Sequence, residues 1–209
     1  MTEPPRTNYT NLFGSPLMAH RWADGPALND VLLPLILRHE AHTKSAAKTN
    51  VGGWHSEFGQ LEFCGEAGES LVQHMHEMAD EATSRVLKEY GQEPRKMQWI
   101  VDAWANVNRA GHFNRMHTHP GSTWSGTYYV DPGTDAGSAG EAAPLHIFDP
   151  CQGRANTFLP GLAPSSFTLR PEAGLMVLFP SYLAHMVFPH QGERPRISIA
   201  FNMRRDPFP

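Results

Sequence analysis

Apolar residues in the first half of the chain recur at the spacing of α-helices. Between Pro26 and about Ala47, leucine, isoleucine and valine residues return every three or four positions, which predicts a helix with one apolar face. Pro34 lies in this segment, and we expect it to kink the first turns. A longer amphipathic pattern over residues 65–91 predicts a second helix, which ends at Gly91 because glycine commonly terminates helices.

The pattern changes after Pro94, where apolar residues alternate with others at the period of a β-strand. The stretch "MQWIVDAWANVN" shows this alternation from Trp99 to Val107. Further apolar stretches, separated by proline, glycine or asparagine, predict a series of short strands typical of a sandwich or barrel. These stretches are 123–130, 144–149, 165–169, 174–179, 185–189 and 195–203.

Two segments follow neither period. Residues 1–22 contain three prolines and scattered aromatic residues, and we expect an extended arm with little regular structure that packs Phe13 and Trp22 onto the body. Residues 131–144 are rich in glycine, alanine and aspartate, which predicts a mobile loop over one end of the β region.

The length of 209 residues is enough for one hydrophobic core. We therefore interpret residues 1–209 as a single domain. In it, residues 1–94 form the arm and the supporting helices, and residues 95–205 form the β core. The 18 prolines and 18 glycines are spread along the chain, as in turn-rich β folds.

The charge pattern limits the choice of partners. Charged residues make up 18% of the chain, the formal net charge is -4, and lysines and arginines form no block, which argues against nucleic acid or a membrane surface. No apolar segment approaches the roughly 20 residues that cross a bilayer, and the first residues lack the features of a signal peptide. We expect a cytoplasmic protein, with Cys64 and Cys151 reduced, that acts on a small molecule or a protein side chain. A homodimer is left open.

One histidine pair stands out among the 12 histidines because of its extended setting. His117 and His119 precede the strand-like run "STWSGTYYV", and in a strand residues two apart project from the same face. His74 and His76 have the same spacing, but on a helix such residues point in different directions. We therefore predict a metal site at the first pair and solvated or rim side chains at the second.

The C-terminal half supplies a third ligand and an anion anchor. His185 follows the turn "PSYLAH", and three ligands on one side of a metal leave its other positions open. Arg196 lies eleven positions later and shares a strand face with Ser198 and Ala200. A guanidinium binds a carboxylate through two parallel hydrogen bonds, and a neighbouring hydroxyl adds a third.

On these motifs the sequence resembles the iron(II)- and 2-oxoglutarate-dependent dioxygenases, in particular a prolyl-hydroxylase-like branch of bacterial and phage-associated oxygenases. The resemblance implies a mainly β fold with helices, namely a double-stranded β-helix (a jelly-roll, cupin-like barrel) with the N-terminal helices packed on one sheet. The matching stretches span most of residues 51–203 and are "GGWHS", "WANVNRAGHFNRMHTHPGSTWSGTYYVD", "GLMVLFPSYLAHMVFPH" and "RISIAFN".

The resemblance also implies roles for individual residues. His117 and His185 match the two histidines of the family that bind Fe(II), and His119 stands where most of the superfamily has aspartate or glutamate. Arg196 and Ser198 match the anchor for the distal carboxylate of 2-oxoglutarate. The predicted metal site therefore has three histidines and no carboxylate.

Three further residues are assigned more loosely. Tyr128 and Asn114 are candidate contacts of the cosubstrate by analogy with the family. Asp131 is an alternative source of a carboxylate ligand, but it lies about 40 Å from His117 along a fully extended strand. We therefore prefer His119.

The activity that the resemblance implies is decarboxylation of 2-oxoglutarate coupled to hydroxylation of a C–H bond. Trp104, Trp124 and Tyr182 are candidate lining residues of the substrate pocket, and "GGWHS" and the 131–144 loop are candidate substrate contacts. Two alternatives stay open. One is a cupin-like three-histidine metal oxygenase that does not use 2-oxoglutarate, and the other is a non-catalytic jelly-roll module with a metal site.

Overall fold

The computed structural model describes residues 14–46, 49–134, 142–151 and 164–206. Within these ranges the chain forms two α-helices, a short 3₁₀ helix and eleven strands. In chain order they are β1 (Met18–Arg21), α1 (Gly25–His42), β2 (Asn50–Val51), β3 (Trp54–His55), the 3₁₀ helix (Glu62–Cys64), α2 (Gly65–Glu89), β4 (Trp99–Asn108), β5 (Phe113–His117), β6 (Trp124–Asp131), β7 (Leu145–Phe148), β8 (Ser166–Leu169), β9 (Leu175–Pro180), β10 (His185–Val187) and β11 (Arg196–Arg205).

The strands form two antiparallel sheets. The larger sheet has the order β1-β9-β6-β11-β4-β3, and the smaller has the order β2-β5-β10-β7-β8. Apolar side chains from both sheets pack together, with Val177 and Phe179 of the larger sheet against Leu145 and Ile147 of the smaller one. The two sheets therefore face each other as in a jelly roll.

The two helices cover the outer face of the larger sheet. Leu32 and Ile36 of α1 and Leu71 and Met75 of α2 are fully buried and belong to one apolar cluster with residues of β4, β6, β9 and β11. The predicted layering, helices on one sheet of a mainly β barrel, is confirmed. Within the described residues, neither helix is long and apolar enough to cross a membrane.

The first helix is shorter than predicted. It begins at Gly25 and ends at His42 instead of near Ala47, because the chain turns there and the N–H of Ala46 donates to the carbonyl of His55 in β3. Pro34 lies inside the helix without ending it. The second helix agrees with its prediction and stops at Glu89, just before Gly91 takes a positive φ.

The N-terminal arm holds a strand that the sequence did not predict. Met18–Arg21 pairs with β9 along the edge of the larger sheet. Trp22 packs against the core as expected, whereas Phe13 lies outside the described residues. Trp22 stacks on His74 with ring centroids 3.9 Å apart, and the Nε2 of His74 bonds the carboxylate of Asp24 at 2.9 Å. His74 is partly exposed, as predicted for a rim histidine, and these contacts hold its ring at the edge of the core.

The strands predicted from the alternating pattern are present with ends shifted by one or two residues. The strands that were missed, β1, β2, β3 and β5, span two to five residues, too few for a period-two pattern to stand out. Half of the predicted 131–144 loop, residues 135–141, lies outside the described residues.

Candidate metal centre and anion pocket

Three histidines meet at one end of a cavity between the two sheets. His117, His119 and His185 each offer a ring nitrogen, and these atoms all lie within 4.8 Å of one another. The ring centroids are 4.3 Å apart for His117 and His185, 4.9 Å for His117 and His119, and 5.1 Å for His119 and His185. The predicted residues are therefore brought together at a spacing that suits one metal ion.

Two different features of the backbone bring these rings together. His117 ends β5, His185 begins β10, and the two are antiparallel cross-strand partners, so their side chains project from the same face. His119 lies beyond the end of β5, and its N–H donates to the carbonyl of Ser181 at 3.1 Å. The expectation that His119 shares a strand face with His117 is wrong, although the cluster it predicted is present.

Two of the rings have their tautomer fixed by the main chain. The Nδ1 of His117 lies 2.6 Å from the carbonyl of Arg115, and the Nδ1 of His185 lies 2.9 Å from the carbonyl of Leu183. Because a carbonyl can only accept, each Nδ1 carries the hydrogen and donates. The lone pair of both rings is therefore on Nε2, the arrangement typical of metal-bound histidine.

Burial keeps the three imidazoles neutral. It lowers the pKa of His185 to about 3 and that of His119 to about 4, with a smaller contribution from His117 in each case. Burial also lowers the pKa of His117, partly offset by its bond to the carbonyl of Arg115. Metal binding requires the unprotonated ring, so the cluster is ready to bind a cation at neutral pH.

Asp131 does not join the histidines. Its carboxylate accepts the N–H of Gly133 at 2.8 Å and lies 3.9 Å from the guanidinium of Arg194. The alternative in which Asp131 supplies the metal carboxylate is therefore not supported, and His119 occupies that place in the cluster.

The same cavity contains a buried arginine. Arg196 is 2% exposed, and its Nη1 donates to the hydroxyl of Ser198 at 3.0 Å. Its guanidinium lies over the ring of Tyr129, 5.1 Å from the centroid. Arg196 and Ser198 line the cavity together with His117, His119 and His185.

Two polar atoms at this arginine lack a hydrogen bond of full geometry. The Nε of Arg196 and the hydroxyl of Tyr129 are buried and meet no such partner within the described part of the chain, and the guanidinium and the phenol interact with each other. Burial lowers the pKa of Arg196, but a guanidinium stays charged in proteins. Burial raises the pKa of Tyr129, so its phenol keeps its hydrogen at neutral pH. A buried cation with unused donors around it is suited to an anion such as a carboxylate.

Of the two adjacent tyrosines in β6, Tyr129 lies beside Arg196, and the predicted Tyr128 does not. The hydroxyl of Tyr128 donates to the Oδ1 of Asn29 at 2.7 Å, on the helix side of the larger sheet. The prediction that Tyr128 contacts the cosubstrate therefore does not fit this structure. Tyr129, which the sequence did not single out, faces the arginine. Asn114 does line the cavity and accepts a hydrogen bond from the Nδ2 of Asn108 at 3.1 Å.

The three aromatic residues predicted to line a substrate pocket do not all line one cavity. Trp104 lines the histidine cavity, with its ring centroid 5.9 Å from that of His119. The Nε1 of Trp124 donates to the hydroxyl of Thr83 at 3.0 Å, and Trp124 lines, together with Tyr182, a cavity of about 600 Å³ that the three histidines do not line. Tyr182 is 58% exposed and lines a neighbouring cavity of about 770 Å³.

The "GGWHS" segment is a buried part of the sheet rather than a mobile lid. Its Trp54 and His55 form β3 and are 7% and 3% exposed. A methyl group on Gly53 would clash with the Oδ1 of Asn108, so the backbone can pass this close only because the residue is glycine. The ring of His55 stacks on Trp104 at 5.4 Å between centroids, which places the segment behind the cavity wall.

The chain is similar to a known protein family in sequence and to solved structures in fold. Residues 102–202 match the family model described as "Putative 2OG-Fe(II) oxygenase". None of the curated proteins matches the chain. A prolyl-4-hydroxylase from Pseudomonas putida is 19% identical, with a TM-score of 0.65, and the alignment covers 92% of this chain and 93% of that one.

Two other solved structures have the same fold. A prolyl hydroxylase from Trichoplax adhaerens, in complex with a peptide of hypoxia inducible factor, is 14% identical, with a TM-score of 0.59 and coverage of 90% of this chain and 83% of that one. The alpha-ketoglutarate-dependent carbocyclase SnoK from nogalamycin biosynthesis is 12% identical, with a TM-score of 0.59 and coverage of 91% and 79%. These similarities confirm the predicted double-stranded β-helix.

Proposed function

We propose that this chain is a 2OG-Fe(II) oxygenase, the family whose model matches residues 102–202. It hydroxylates a C–H bond of a small molecule or a protein side chain, with Fe(II) at the three histidines and 2-oxoglutarate at Arg196. The observation that carries this assignment is the shared cavity. It has three neutral metal-binding groups at one end and a buried arginine with unused hydrogen-bonding capacity at the other.

The metal end fits Fe(II) by the chemistry of its donors. Imidazole nitrogen is a common ligand of iron, and in His117 and His185 the Nε2 lone pairs are already available. His119 supplies a third neutral nitrogen in place of a carboxylate, so the ligand set leaves the metal with its full positive charge. A dianionic cosubstrate that chelates such a metal compensates part of this charge.

The anion end fits a carboxylate. Among the described residues, the Nε of Arg196 and the hydroxyl of Tyr129 donate to no acceptor at full hydrogen-bond geometry. Ser198 adds a second hydroxyl, 3.0 Å from the guanidinium. Together these groups can donate to both oxygens of one carboxylate. Charge-assisted hydrogen bonds of this type are the strong ones in a buried site.

Bound Fe(II) and 2-oxoglutarate would supply the oxidising chemistry together with O₂: one oxygen atom would enter the succinate that forms as 2-oxoglutarate loses CO₂, and the other would enter a C–H bond of the substrate. The protein's contribution is to bind the cosubstrate at both ends, to hold the metal and to present the substrate. Trp104, supported by His55 behind it, forms the wall beside His119 and restricts which groups approach the metal.

We place the primary substrate next to the metal, in the neighbouring cavity of about 770 Å³. Phe179 lines both cavities, and its ring centroid is 4.9 Å from that of His185. Most of the lining is apolar, including Leu17, Ile147 and Phe167. Such a surface suits an apolar or aromatic group on a small molecule or a side chain.

Anaerobic titration of the Fe(II)-loaded protein with 2-oxoglutarate tests the proposed function. We expect a saturable visible metal-to-ligand charge-transfer band, and release of succinate once oxygen is admitted. Arg196→Ala should require at least tenfold more 2-oxoglutarate for the same band, whereas Arg85→Ala, a change at an exposed arginine of α2, should behave as the wild type. A wild type that binds Fe(II) but gives no band would favour a three-histidine oxygenase that works without 2-oxoglutarate.

A further inference from the structure

His119 is the one histidine of the cluster whose second ring nitrogen meets a side chain. Its Nδ1 lies 3.3 Å from the Nδ2 of Asn202, and the Oδ1 of Asn202 accepts the hydroxyl of Ser125 at 2.7 Å. Asn202 of β11 and Ser125 of β6 are cross-strand partners, so their side chains share a face of the larger sheet. The three residues form a chain of polar contacts that ends at the metal cluster.

This contact differs in kind from those of the other two histidines. A backbone carbonyl can only accept, so it fixes the hydrogen of His117 and of His185 on Nδ1. A carboxamide can present either its oxygen or its NH₂ group after a half turn. The tautomer of His119 therefore depends on which group of Asn202 faces it.

We propose that Asn202 is the positioning residue that sets the tautomer of His119 for metal binding, an inference that rests on the proposed metal site. With Oδ1 toward the ring, Asn202 accepts the hydrogen of Nδ1 and leaves the lone pair on Nε2. The NH₂ group then donates to the hydroxyl of Ser125. With NH₂ toward the ring, the orientation that the structure describes, the hydrogen is on Nε2, so binding of the metal there requires the half turn of the amide.

The place of His119 in the fold explains why such support is needed. His117 and His185 are held by a strand pairing, whereas His119 lies beyond the end of β5, where its N–H bonds the carbonyl of Ser181. That bond holds the backbone but does not fix the ring. Partners of metal-bound histidines usually change metal affinity by 10–100-fold when they are removed.

The test combines Co(II) titration with ¹⁵N NMR of histidine-labelled, metal-free protein. Asn202→Ala should weaken Co(II) binding roughly 10–100-fold. Asn202→Asp, whose carboxylate can only accept, should bind Co(II) at least as tightly as the wild type and place the hydrogen of His119 on Nδ1 in the ¹⁵N spectrum.

Asn29→Ala is the matched control. It removes a carboxamide that bonds Tyr128 on the opposite face of the same sheet, so Co(II) affinity should stay unchanged. Ser125→Ala removes only the hydroxyl that bonds the amide of Asn202, so it should weaken Co(II) binding less than Asn202→Ala. It replaces Asn202→Ala in the test if that variant fails to fold.

The outcomes separate this inference from the proposed function. Wild-type Co(II) affinity in Asn202→Ala and Ser125→Ala would overturn the role of Asn202, and so would an Asn202→Asp variant that binds as weakly as Asn202→Ala. A wild type that binds Co(II) but shows no response to 2-oxoglutarate would overturn the proposed reaction and leave the role of Asn202 standing.

Discussion

His117 and His185 are direct cross-strand partners, and their ring centroids lie 4.3 Å apart. The geometry of these two ligands is therefore part of the hydrogen-bonded pairing of β5 with β10 and exists before any metal binds. His119 reaches the same point from outside the strand. The proposed centre thus has two ligands on rigid backbone and one that depends on its side-chain neighbours.

Metal binding should stabilise the fold through this strand pair. A ligand that binds only the folded protein adds about 2.7 kcal/mol to the free energy of unfolding at 100 times its dissociation constant. We expect Mn(II) or Co(II) at that level to raise the Tm of the wild type, measured by calorimetry. His185→Ala should lose this increase. The same increase in the variant would show that the metal binds elsewhere.

Substitutions at the two adjacent tyrosines of β6 should affect different properties: Tyr129→Phe the binding of 2-oxoglutarate, and Tyr128→Phe the stability of the fold. Tyr129→Phe removes a buried donor beside Arg196, and a hydrogen bond to a charged group contributes about 1.5–3 kcal/mol. We expect roughly 10–100-fold weaker binding of 2-oxoglutarate in the charge-transfer titration, with unchanged metal affinity.

Tyr128→Phe is the control for that pair. It breaks the bond to Asn29 on the helix side, so it should lower the free energy of unfolding by about 1 kcal/mol and leave the 2-oxoglutarate affinity unchanged. If Tyr128→Phe weakened binding of 2-oxoglutarate and Tyr129→Phe did not, Tyr128 would be the residue that contacts the cosubstrate.

The exchange of these tyrosines shows where sequence reasoning reaches its limit. In β11 the faces were predicted correctly, because Arg196 and Ser198 are polar and Ile197 and Ile199 between them are apolar. In β6 nearly every residue is buried, whichever face of the sheet its side chain is on. The alternation of apolar and polar residues therefore does not distinguish the two faces. Without the register to β11, nothing in the sequence distinguishes Tyr128 from Tyr129.

The histidine cluster shows a different limit. The spacing of His117 and His119 predicted a shared ligand set, and the set is present, but the cause lies in the turn before β10 that holds the backbone of His119 at Ser181. Likewise, the partner of His119 is 83 positions away in the sequence, and only the pairing of β11 with β6 brings Asn202 there. Contacts of this kind depend on tertiary structure rather than on local pattern.

Arg196 should reduce stability in the absence of cosubstrate. A buried charge without a full set of partners is costly, and apolar replacement of buried charged groups is often neutral or stabilising by about 1–4 kcal/mol. We expect Arg196→Met to unfold at the same or a higher urea concentration than the metal-free wild type. Addition of 2-oxoglutarate with Mn(II) should then stabilise the wild type more than the variant. A large loss of stability in the variant alone would instead mark Arg196 as a structural residue.

Gly53 connects the "GGWHS" segment to the cavity through a close contact. A methyl group at this position would clash with the Oδ1 of Asn108, whose Nδ2 donates to Asn114 in the cavity wall. Gly53→Ala should therefore destabilise the protein by about 1–3 kcal/mol, the usual cost of overpacking, measured by urea unfolding. Because the displaced amide moves Asn114, binding of 2-oxoglutarate should weaken as well. Gly59→Ala is the control, since its methyl group would meet the movable carboxylate of Glu62. If Gly53→Ala bound 2-oxoglutarate as tightly as the wild type, the link between this segment and the cavity would be contradicted.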